Sequence, residues 1–285
     1  MKLITWNVQW CYGIDLKVDP ARIARSALEI ADFDVLCLQE VAVNFPGLPG
    51  SRGENQVEKL LLALPGFSAH YGAAIDVDDG EGGRSQFGNL VLSRLPVLQV
   101  YRHLLPWPAE PAVKSMQRIA VEAVVQAAWG PVRIITTHLE YYSAMQRMAQ
   151  VGALRTMHQE ASVHASTPRL QEDPGQPFHA RPRPSSAILT GDFNCKPGDA
   201  EYRRTIEPFQ ASSALPFVDA WAVVHGSEPH APSAGVFENS WAAQPYCCDF
   251  IFVTADLAPR VRIVETDLRT QASDHQPVLI QLSER

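Results

Sequence analysis

The chain has 285 residues, of which 46% are hydrophobic, and it carries a formal net charge of −7. No linker rich in Pro, Gly or Ser divides it, so we expect one globular domain over residues 1–285. The acidic balance argues against binding of long nucleic acid through a broad basic surface, because such binding depends on many Lys and Arg contacts to phosphates. A small phosphodiester bound at a metal is compatible with this charge.

The cysteines and the hydropathy of the chain argue against a disulfide-bonded protein, a zinc protein and a membrane-spanning protein. The five cysteines include an adjacent pair at Cys247 and Cys248 but no CxxC motif, which fits neither a disulfide framework nor a zinc site. No run approaches the roughly 20 apolar residues of a membrane span. A strand begins directly at the N-terminus and leaves no room for a signal peptide. We therefore expect free thiols, no membrane span and a cytoplasmic protein.

The first forty residues predict a strand, a helix and a second strand. The run 3–6 is rich in β-formers and stops at Asn7, and residues 20–31 have helical spacing. The apolar run 33–38 then ends at Glu40. A polar side chain directly after an apolar strand is a costly way to close a core. It is a sensible way to build a polar site at the edge of a sheet.

The middle of the chain predicts a helix at 54–64 and several strands, and then the same pattern returns. The run 132–138 is a strand that ends on His138, and a helix is expected over 142–160. An exposed turn is expected at the acidic, glycine-rich stretch 76–83. Further strands are expected at 67–75, 88–92, 97–105 and 118–127.

The last third of the chain predicts a long loop and then the remaining strands. The loop is expected at 164–186, which contains five prolines and shows no periodicity. A short apolar strand at 188–190 follows, and Asp192 and Asn194 come directly after it. A short helix at 197–207, a loop-rich segment at 208–246 and strands at 248–253, 261–264 and 277–280 complete the chain, with Asp249 in the first of these strands and Asp274 and His275 before the last.

Nearly every predicted strand with a clear apolar run therefore has beside it a polar side chain that could bind a hard cation or transfer a proton. Each group alone has an ordinary structural explanation, such as a turn, a solvated carboxylate or a cap. Oxygen ligands of the type of Glu40, Asn7 and Asp274 suit Mg²⁺ or Mn²⁺ better than zinc. A histidine accompanied by carboxylates fits an oriented acid/base pair. The candidate site residues are Asn7, Glu40, His138, Asp192, Asn194, Asp249, Asp274 and His275.

These residues lie in short motifs whose order resembles that of the endonuclease/exonuclease/phosphatase superfamily. That superfamily includes deoxyribonucleases, abasic-site endonucleases, neutral sphingomyelinases and inositol-polyphosphate phosphatases. The resemblance runs from residue 5 to residue 275. It rests on Thr5-Trp6-Asn7, Leu38-Gln39-Glu40, Thr137-His138-Leu139, Gly191-Asp192-Phe193-Asn194, Cys248-Asp249-Phe250-Ile251 and Ser273-Asp274-His275.

The resemblance implies an α/β (α+β) fold, a four-layer α/β/β/α sandwich with two central mixed β-sheets and the site at one end. It also implies hydrolysis of a phosphoester by in-line attack of water with the help of a divalent metal. The metal would be Mg²⁺, for which Mn²⁺ may substitute, and the metal site would consist of Glu40 as main ligand with Asn7 and Asp274 beside it.

The resemblance also implies catalytic roles. Asp192 would orient and deprotonate the attacking water, and Asn194 would hold the phosphate or that water. His275, steadied by Asp249, would stabilise charge on the phosphoryl oxygens. His138 would contact the phosphate or assist the leaving oxygen.

The substrate is left open between two enzyme classes and a third alternative. A nuclease or phosphodiesterase is the first expectation, so the partner would be a phosphodiester from nucleic acid or a phospho-head-group, and no protein partner is indicated. A lipid or inositol head-group phosphoesterase, similar to sphingomyelinases, is mildly favoured by the net charge. A catalytically silent binding module is the third, although the intact set of site residues argues against it. For Arg118, a phosphate contact and a surface position are both open, and for Trp107, Trp221, Phe237 and Trp241 packing is favoured over stacking on a substrate.

Overall fold

A computed structural model describes residues 1–167, 173, 175–210, 214–237 and 243–284 of the chain. Its helices in chain order are α1 (Pro20–Ile30), α2 (Gln56–Ala63), α3 (Ala144–Ser166), α4 (Ala200–Ile206) and α5 (Ala220–His225). Its strands are β1 (Lys2–Asn7), β2 (Val35–Val43), β3 (Ser68–Asp78), β4 (Arg84–Ser93), β5 (Val97–Leu104), β6 (Ile119–Ala127), β7 (Gly130–His138), β8 (Ala187–Asp192), β9 (Phe217–Asp219), β10 (Asp249–Thr254), β11 (Val261–Thr266) and β12 (Val278–Leu282).

In the described part of the chain, the strands form two mixed sheets of six. Their orders are β11-β12-β1-β2-β4-β3 and β5-β6-β7-β8-β10-β9. Strands β1 and β2 are parallel and are connected through α1, and strands β7 and β8 are parallel and are connected through α3. The strand–helix–strand pattern predicted in both halves of the chain is therefore confirmed, and in each sheet the carboxyl ends of two strands meet at one edge.

The two sheets pack face to face, and helices cover their outer faces. Successive residues of a strand point to opposite faces, so Leu3 and Ile188 lie in the core between the sheets while Ile4 and Leu189 lie beneath the helices. Both faces of the central strands are buried, which explains why these strands are continuous apolar runs. The predicted four-layer α/β/β/α sandwich is confirmed.

Helix α1 is capped by a side chain, and helix α3 ends later than predicted. The side chain of Asp19 accepts a hydrogen bond from the backbone N–H of Arg22, which caps α1. Helix α3 continues to Ser166, so the predicted loop was wrong for residues 164–166, where no Pro or Gly interrupts the helix. Residues 173 and 175–186 contain neither helix nor strand, and Arg169, which was expected in this loop, lies outside the described residues. No helix in the described ranges is long and apolar enough to cross a membrane.

A buried charge network holds the chain near Arg183 against the second sheet. Glu122 in β6 accepts from Arg183 Nε at 3.3 Å, contacts His103 Nε2 at 3.0 Å and lies 3.7 Å from Arg133 Nη1. Burial alone would raise the pKa of Glu122, but His103 and the two arginines outweigh it and lower the pKa to about 2. Burial lowers the pKa of Arg133 to about 10, so its guanidinium is still charged at neutral pH.

Replacing Glu122 by Gln should reduce the free energy of unfolding by about 3 kcal/mol, because it leaves Arg133 buried without its carboxylate. The stabilisation by Glu122 is present above its ordinary pKa of 4.5 and is lost as the pH falls towards about 2. Urea unfolding between these pH values should therefore show a steeper loss of stability in the wild type than in Glu122→Gln. Glu81→Gln, at an exposed carboxylate, is the control, and equal pH dependence in wild type and Glu122→Gln would contradict the prediction.

Candidate active site

The sheet topology brings the predicted polar residues to one end of the sandwich. Asn7 ends β1, His138 ends β7 and Asp192 ends β8. Because β10 is antiparallel to β8, its first residue, Asp249, pairs with Asp192 in the sheet. Of the eight candidate residues, six line a cleft of about 680 Å³, while Asn7 and Asp249 lie buried outside its lining. The six are Glu40, His138, Asp192, Asn194, Asp274 and His275.

Asn7 connects two carboxylates that come from different sheets. Its Nδ2 donates to Glu40 Oε1 and to Asp192 Oδ2, both at 3.0 Å. Its Oδ1 accepts from the backbone N–H of Gln9 at 3.1 Å. Asn7 therefore contacts the acids as a donor, and the amide oxygen, which the predicted role as metal ligand requires, faces Gln9.

Glu40 is directed into the cleft by an irregularity within β2. The strand was predicted to end at Glu40, and this was wrong: β2 continues to Val43. Its register against β4 shifts between Leu38 and Val41, and Glu40 has a φ of 60° in the left-handed region. A bulge of this kind re-aims a side chain at the expense of local backbone strain, and such strain is concentrated at functional sites.

Glu40 and Asp274 are two carboxylates of the cleft whose pKa values are both raised. Burial and the nearby charge of Asp274 raise the pKa of Glu40 to about 7. Burial also raises the pKa of Asp274. Gln9 Nε2 donates to Asp274 Oδ2 at 2.8 Å. A carboxylate whose pKa is raised by a second carboxylate suits a bound divalent cation, and the oxygen-only donor set suits Mg²⁺ or Mn²⁺.

His275 and Asp249 form a buried, oriented pair. His275 Nδ1 lies 2.8 Å from Asp249 Oδ2, which also accepts from Ser233 Oγ at 2.7 Å. His275 Nε2 lies 3.8 Å from Asp192 Oδ2. Burial alone would lower the pKa of His275, but Asp249 and Asp192 outweigh it and raise the pKa well above its ordinary value. The imidazolium form is therefore favoured at the cleft.

His138 has the opposite charge state. Burial, together with the positive charge of Arg118, lowers the pKa of His138 to about 3. Its Nε2 lies 3.0 Å from Asn194 Nδ2 and 3.4 Å from Asp192 Oδ2. The backbone N–H of Asn194 donates to Asp192 Oδ1 at 2.9 Å. One cleft thus holds a neutral and a cationic imidazole beside the same carboxylate, which is the separation of pKa values that acid/base chemistry uses.

A second group of possible ligands lies behind the first. In the described part of the chain, ligand atoms of Asp192, Cys248 and His275 lie within 4.8 Å of one another. Burial and the negative charge of Asp192 raise the pKa of the Cys248 thiol well above its ordinary value. Metals bind the thiolate, so this group fits a cation less well than Glu40 and Asp274 do.

Two residues that hold the site's carboxylates in place, Gln9 and Ser233, were not predicted from the sequence. Gln9 fixes Asp274, and its only signal was a polar residue two positions after Asn7. Ser233 lies in the segment predicted as loop-rich, and nothing in its local sequence indicates the contact with Asp249. Both contacts are made across the fold.

The remaining lining of the cleft differs between its two sides. The segments that connect strands of the second sheet contribute basic and aromatic residues, including Arg118. Arg118 also donates through Nε to Glu140 Oε2 at 3.1 Å. Trp107, Trp221 and Phe237 do not line the cleft, and Trp241 lies outside the described residues. The first sheet and its loops contribute Trp10, Phe45, Leu48, Ile75 and Phe87, and the second contributes Lys114, Met116, Arg118, Tyr141 and Tyr142.

Comparison with known proteins finds one family and many similar structures. The profile of the Endonuclease/Exonuclease/phosphatase family matches residues 4–275. An endonuclease/exonuclease/phosphatase from Beutenbergia cavernae is 23% identical, with 99% of this chain and 72% of that chain covered and a TM-score of 0.65. A mannosyl-6-phosphatase from Bacteroides thetaiotaomicron is 18% identical, with 99% of each chain covered and a TM-score of 0.62.

TDP2 from D. rerio, complexed with a single strand DNA product, is 20% identical, with 99% of this chain and 98% of that chain covered and a TM-score of 0.63. At these identities the likenesses show the fold alone. No curated protein matches the sequence.

The opposite charge states of the two cleft histidines can be measured in the metal-free protein. In buffer with chelator at pH 7, imidazole ¹⁵N shifts should show His275 as the cation and His138 as the neutral form. Asp249→Asn should lower the pKa of His275, because it removes the carboxylate that stabilises the imidazolium. Asp78→Asn, at an exposed carboxylate of β3, should leave it unchanged. A neutral His275 at pH 7 in the wild type would contradict the assignment.

Proposed function

The chain belongs to the endonuclease/exonuclease/phosphatase family, and we propose that it is a divalent-metal-dependent phosphodiester hydrolase, a nuclease or phosphodiesterase. The observation that carries this proposal is the convergence of Glu40, Asp274, Asp192 and His275 on one cleft. A silent binding module has no need of two acids with raised pKa values beside two histidines of opposite charge state.

Glu40 and Asp274 are the residues that would hold the metal, with Asn7 and Gln9 orienting their carboxylates. Mg²⁺ is the proposed cation, and Mn²⁺ is expected to substitute because it takes the same oxygen ligands. When bound, the cation would neutralise the paired carboxylates and polarise a phosphoryl oxygen. The raised pKa of Glu40 supports this assignment, since it indicates a site that favours added positive charge.

The proposed reaction is attack of water on phosphorus, in line with the ester bond that breaks. Asp192 would orient the water and take its proton, and the contact with the backbone N–H of Asn194 fixes the carboxylate for this task. His275, held by Asp249, would donate through Nε2 to a phosphoryl oxygen as negative charge develops. Neutral His138 would donate to the phosphate or to the leaving oxygen, and Asn194 would hold the phosphate or the water.

A lipid or inositol head-group phosphoesterase is the second candidate, and the apolar side of the cleft favours it. The similar structures include a mannosyl-6-phosphatase and a protein solved with single-stranded DNA. Because one fold carries such different substrates, the substrate has to be argued from the cleft and not from the fold.

The enzyme proposal is tested by hydrolysis of bis-p-nitrophenyl phosphate with Mg²⁺ or Mn²⁺, with and without chelator. We expect turnover that needs the metal and that is abolished by chelator. The control is His275→Ala, and no metal-dependent turnover of the wild type beyond this variant would overturn both enzyme candidates in favour of a binding module. Single-stranded DNA, duplex DNA, RNA and sphingomyelin would then separate a nuclease from a lipid hydrolase.

Two substitutions should separate metal binding from water activation. Asp192→Asn should lower kcat by roughly 10²- to 10⁴-fold, the usual contribution of a positioned base, and leave Mn²⁺ affinity near the wild-type value. Glu40→Ala should weaken Mn²⁺ binding by roughly tenfold or more. Steady-state kinetics and Mn²⁺ titration followed by electron paramagnetic resonance measure the two effects. Retention of most activity in Asp192→Asn would show that Asp192 is not the base.

A further inference from the structure

One side of the cleft is built from five apolar side chains, which come from the first sheet and its loops. Ile75 and Phe87 face each other across the β3–β4 ladder, and Phe45 packs edge-on against Phe87 with 6.5 Å between the ring centroids. Trp10 and Leu48 complete the surface. We call Trp10, Phe45, Leu48, Ile75 and Phe87 the apolar wall.

The apolar wall is joined through the same backbone to the floor of the cleft, the name we give to Glu40, Asp192, Asp274 and His275. Glu40 sits in the bulge of β2, and Phe45 follows directly after this strand. Trp10 follows Asn7 by three residues, and Gln9 between them contacts Asp274. A phosphate held at the floor would therefore have one of its substituents directed to a surface that offers no charged group.

Trp10 is held in place by contacts on its backbone and on its ring. Gln9, Trp10 and Cys11 have φ values of 46°, 44° and 60°, a left-handed conformation that residues with a side chain rarely adopt. Gln56 Nε2 donates to the Trp10 carbonyl at 2.7 Å and Trp10 Nε1 donates to the Pro49 carbonyl at 2.9 Å. The indole therefore has its polar atom satisfied, and its ring stacks on Tyr12 with 5.8 Å between the centroids while Trp10 also lines the cleft.

At the apolar wall itself, the surroundings disfavour a polyanion or a sugar. The stretch 76–83, which continues β3 beyond Ile75, contains four acidic residues. These acids repel a polyanion that extends along the hairpin. The hydroxyl groups of a sugar would lose hydrogen bonds to water against the apolar wall without gaining partners there.

We propose that the apolar wall binds a flat, apolar aromatic ring esterified to the phosphate, so that the substrate class is a small phosphoester of an aromatic alcohol. This inference rests on the proposed function only in placing the phosphate at the floor. Stacked and edge-on contacts between aromatic rings stabilise beyond the apolar area that they bury, a gain that a flexible alkyl chain does not have. Three of the five wall residues, Trp10, Phe45 and Phe87, are aromatic.

Binding of phosphonates, which lack the hydrolysable ester bond, tests the proposal without catalysis. Calorimetric titration in Mg²⁺ compares phenylphosphonate, methylphosphonate and n-hexylphosphonate. We expect phenylphosphonate to bind roughly tenfold more tightly than methylphosphonate, the size of one stacking contact. We also expect n-hexylphosphonate to bind more weakly than phenylphosphonate.

Variants of the apolar wall show whether it is the source of this preference. Trp10→Ala and Phe45→Ala should each reduce the phenyl-to-methyl affinity ratio several-fold, and Trp10→Phe should keep most of it. Leu62→Ala is the matched control, because Leu62 lies on α2 and is 83% exposed. Phe45→Ala does not alter the left-handed turn, so it tests the wall even if Trp10→Ala disturbs folding.

The outcomes distinguish this inference from the proposed function. Equal affinity for phenyl- and methylphosphonate, or an unchanged ratio in both Trp10→Ala and Phe45→Ala, would overturn the inference while leaving metal-dependent hydrolysis untouched. Tighter binding of n-hexylphosphonate would assign the wall to an acyl chain and would also overturn it. Failure of all three phosphonates to bind, together with absent hydrolysis, would overturn the proposed function as well.

Discussion

The side chain of Asn7 makes the contact on which the arrangement of the site depends. Its single amide nitrogen donates to Glu40 from the first sheet and to Asp192 from the second. Behind it, Gln39 Nε2 donates to Thr5 Oγ1 in its own sheet and to Thr136 Oγ1 in the other sheet. These buried hydrogen bonds fix the relative position of the two sheets at the end that holds the candidate active site, so that acids from separate halves of the chain share one cleft.

Strain and charge are concentrated at this end of the molecule. Glu40 and Asn194 both have positive φ values, as do all three residues of the turn Gln9–Cys11. Such conformations persist only where the surrounding structure determines them fully. The same end holds two acids with raised pKa values and two histidines shifted in opposite directions. The hydrophobic cores between the sheets and under the helices stabilise the fold and offset the energetic cost of this strain.

The order of most elements and the identity of the polar residues could be read from the sequence, because apolar runs and the polar groups beside them are local patterns. The short elements β9 and α5 were missed, since they lie in the segment 208–246 that was predicted as loop-rich. The repeated strand–helix–strand pattern was predicted, and the structure shows that the two strands of each repeat pair in parallel. The bulge at Glu40 could not be predicted, since it depends on the register between β2 and β4. The contacts of Gln9 with Asp274 and of Ser233 with Asp249 are equally non-local, because they join segments that only the fold brings together.

The central claim is that Glu40 and Asp274 form the cation site of a phosphoesterase. Anomalous diffraction from crystals soaked with Mn²⁺ and a nucleotide monophosphate tests it most directly. We expect a manganese peak bound by the carboxylates of Glu40 and Asp274, with the phosphate beside His275. A peak at Asp192, Cys248 and His275 instead, or no peak at Glu40, would contradict it.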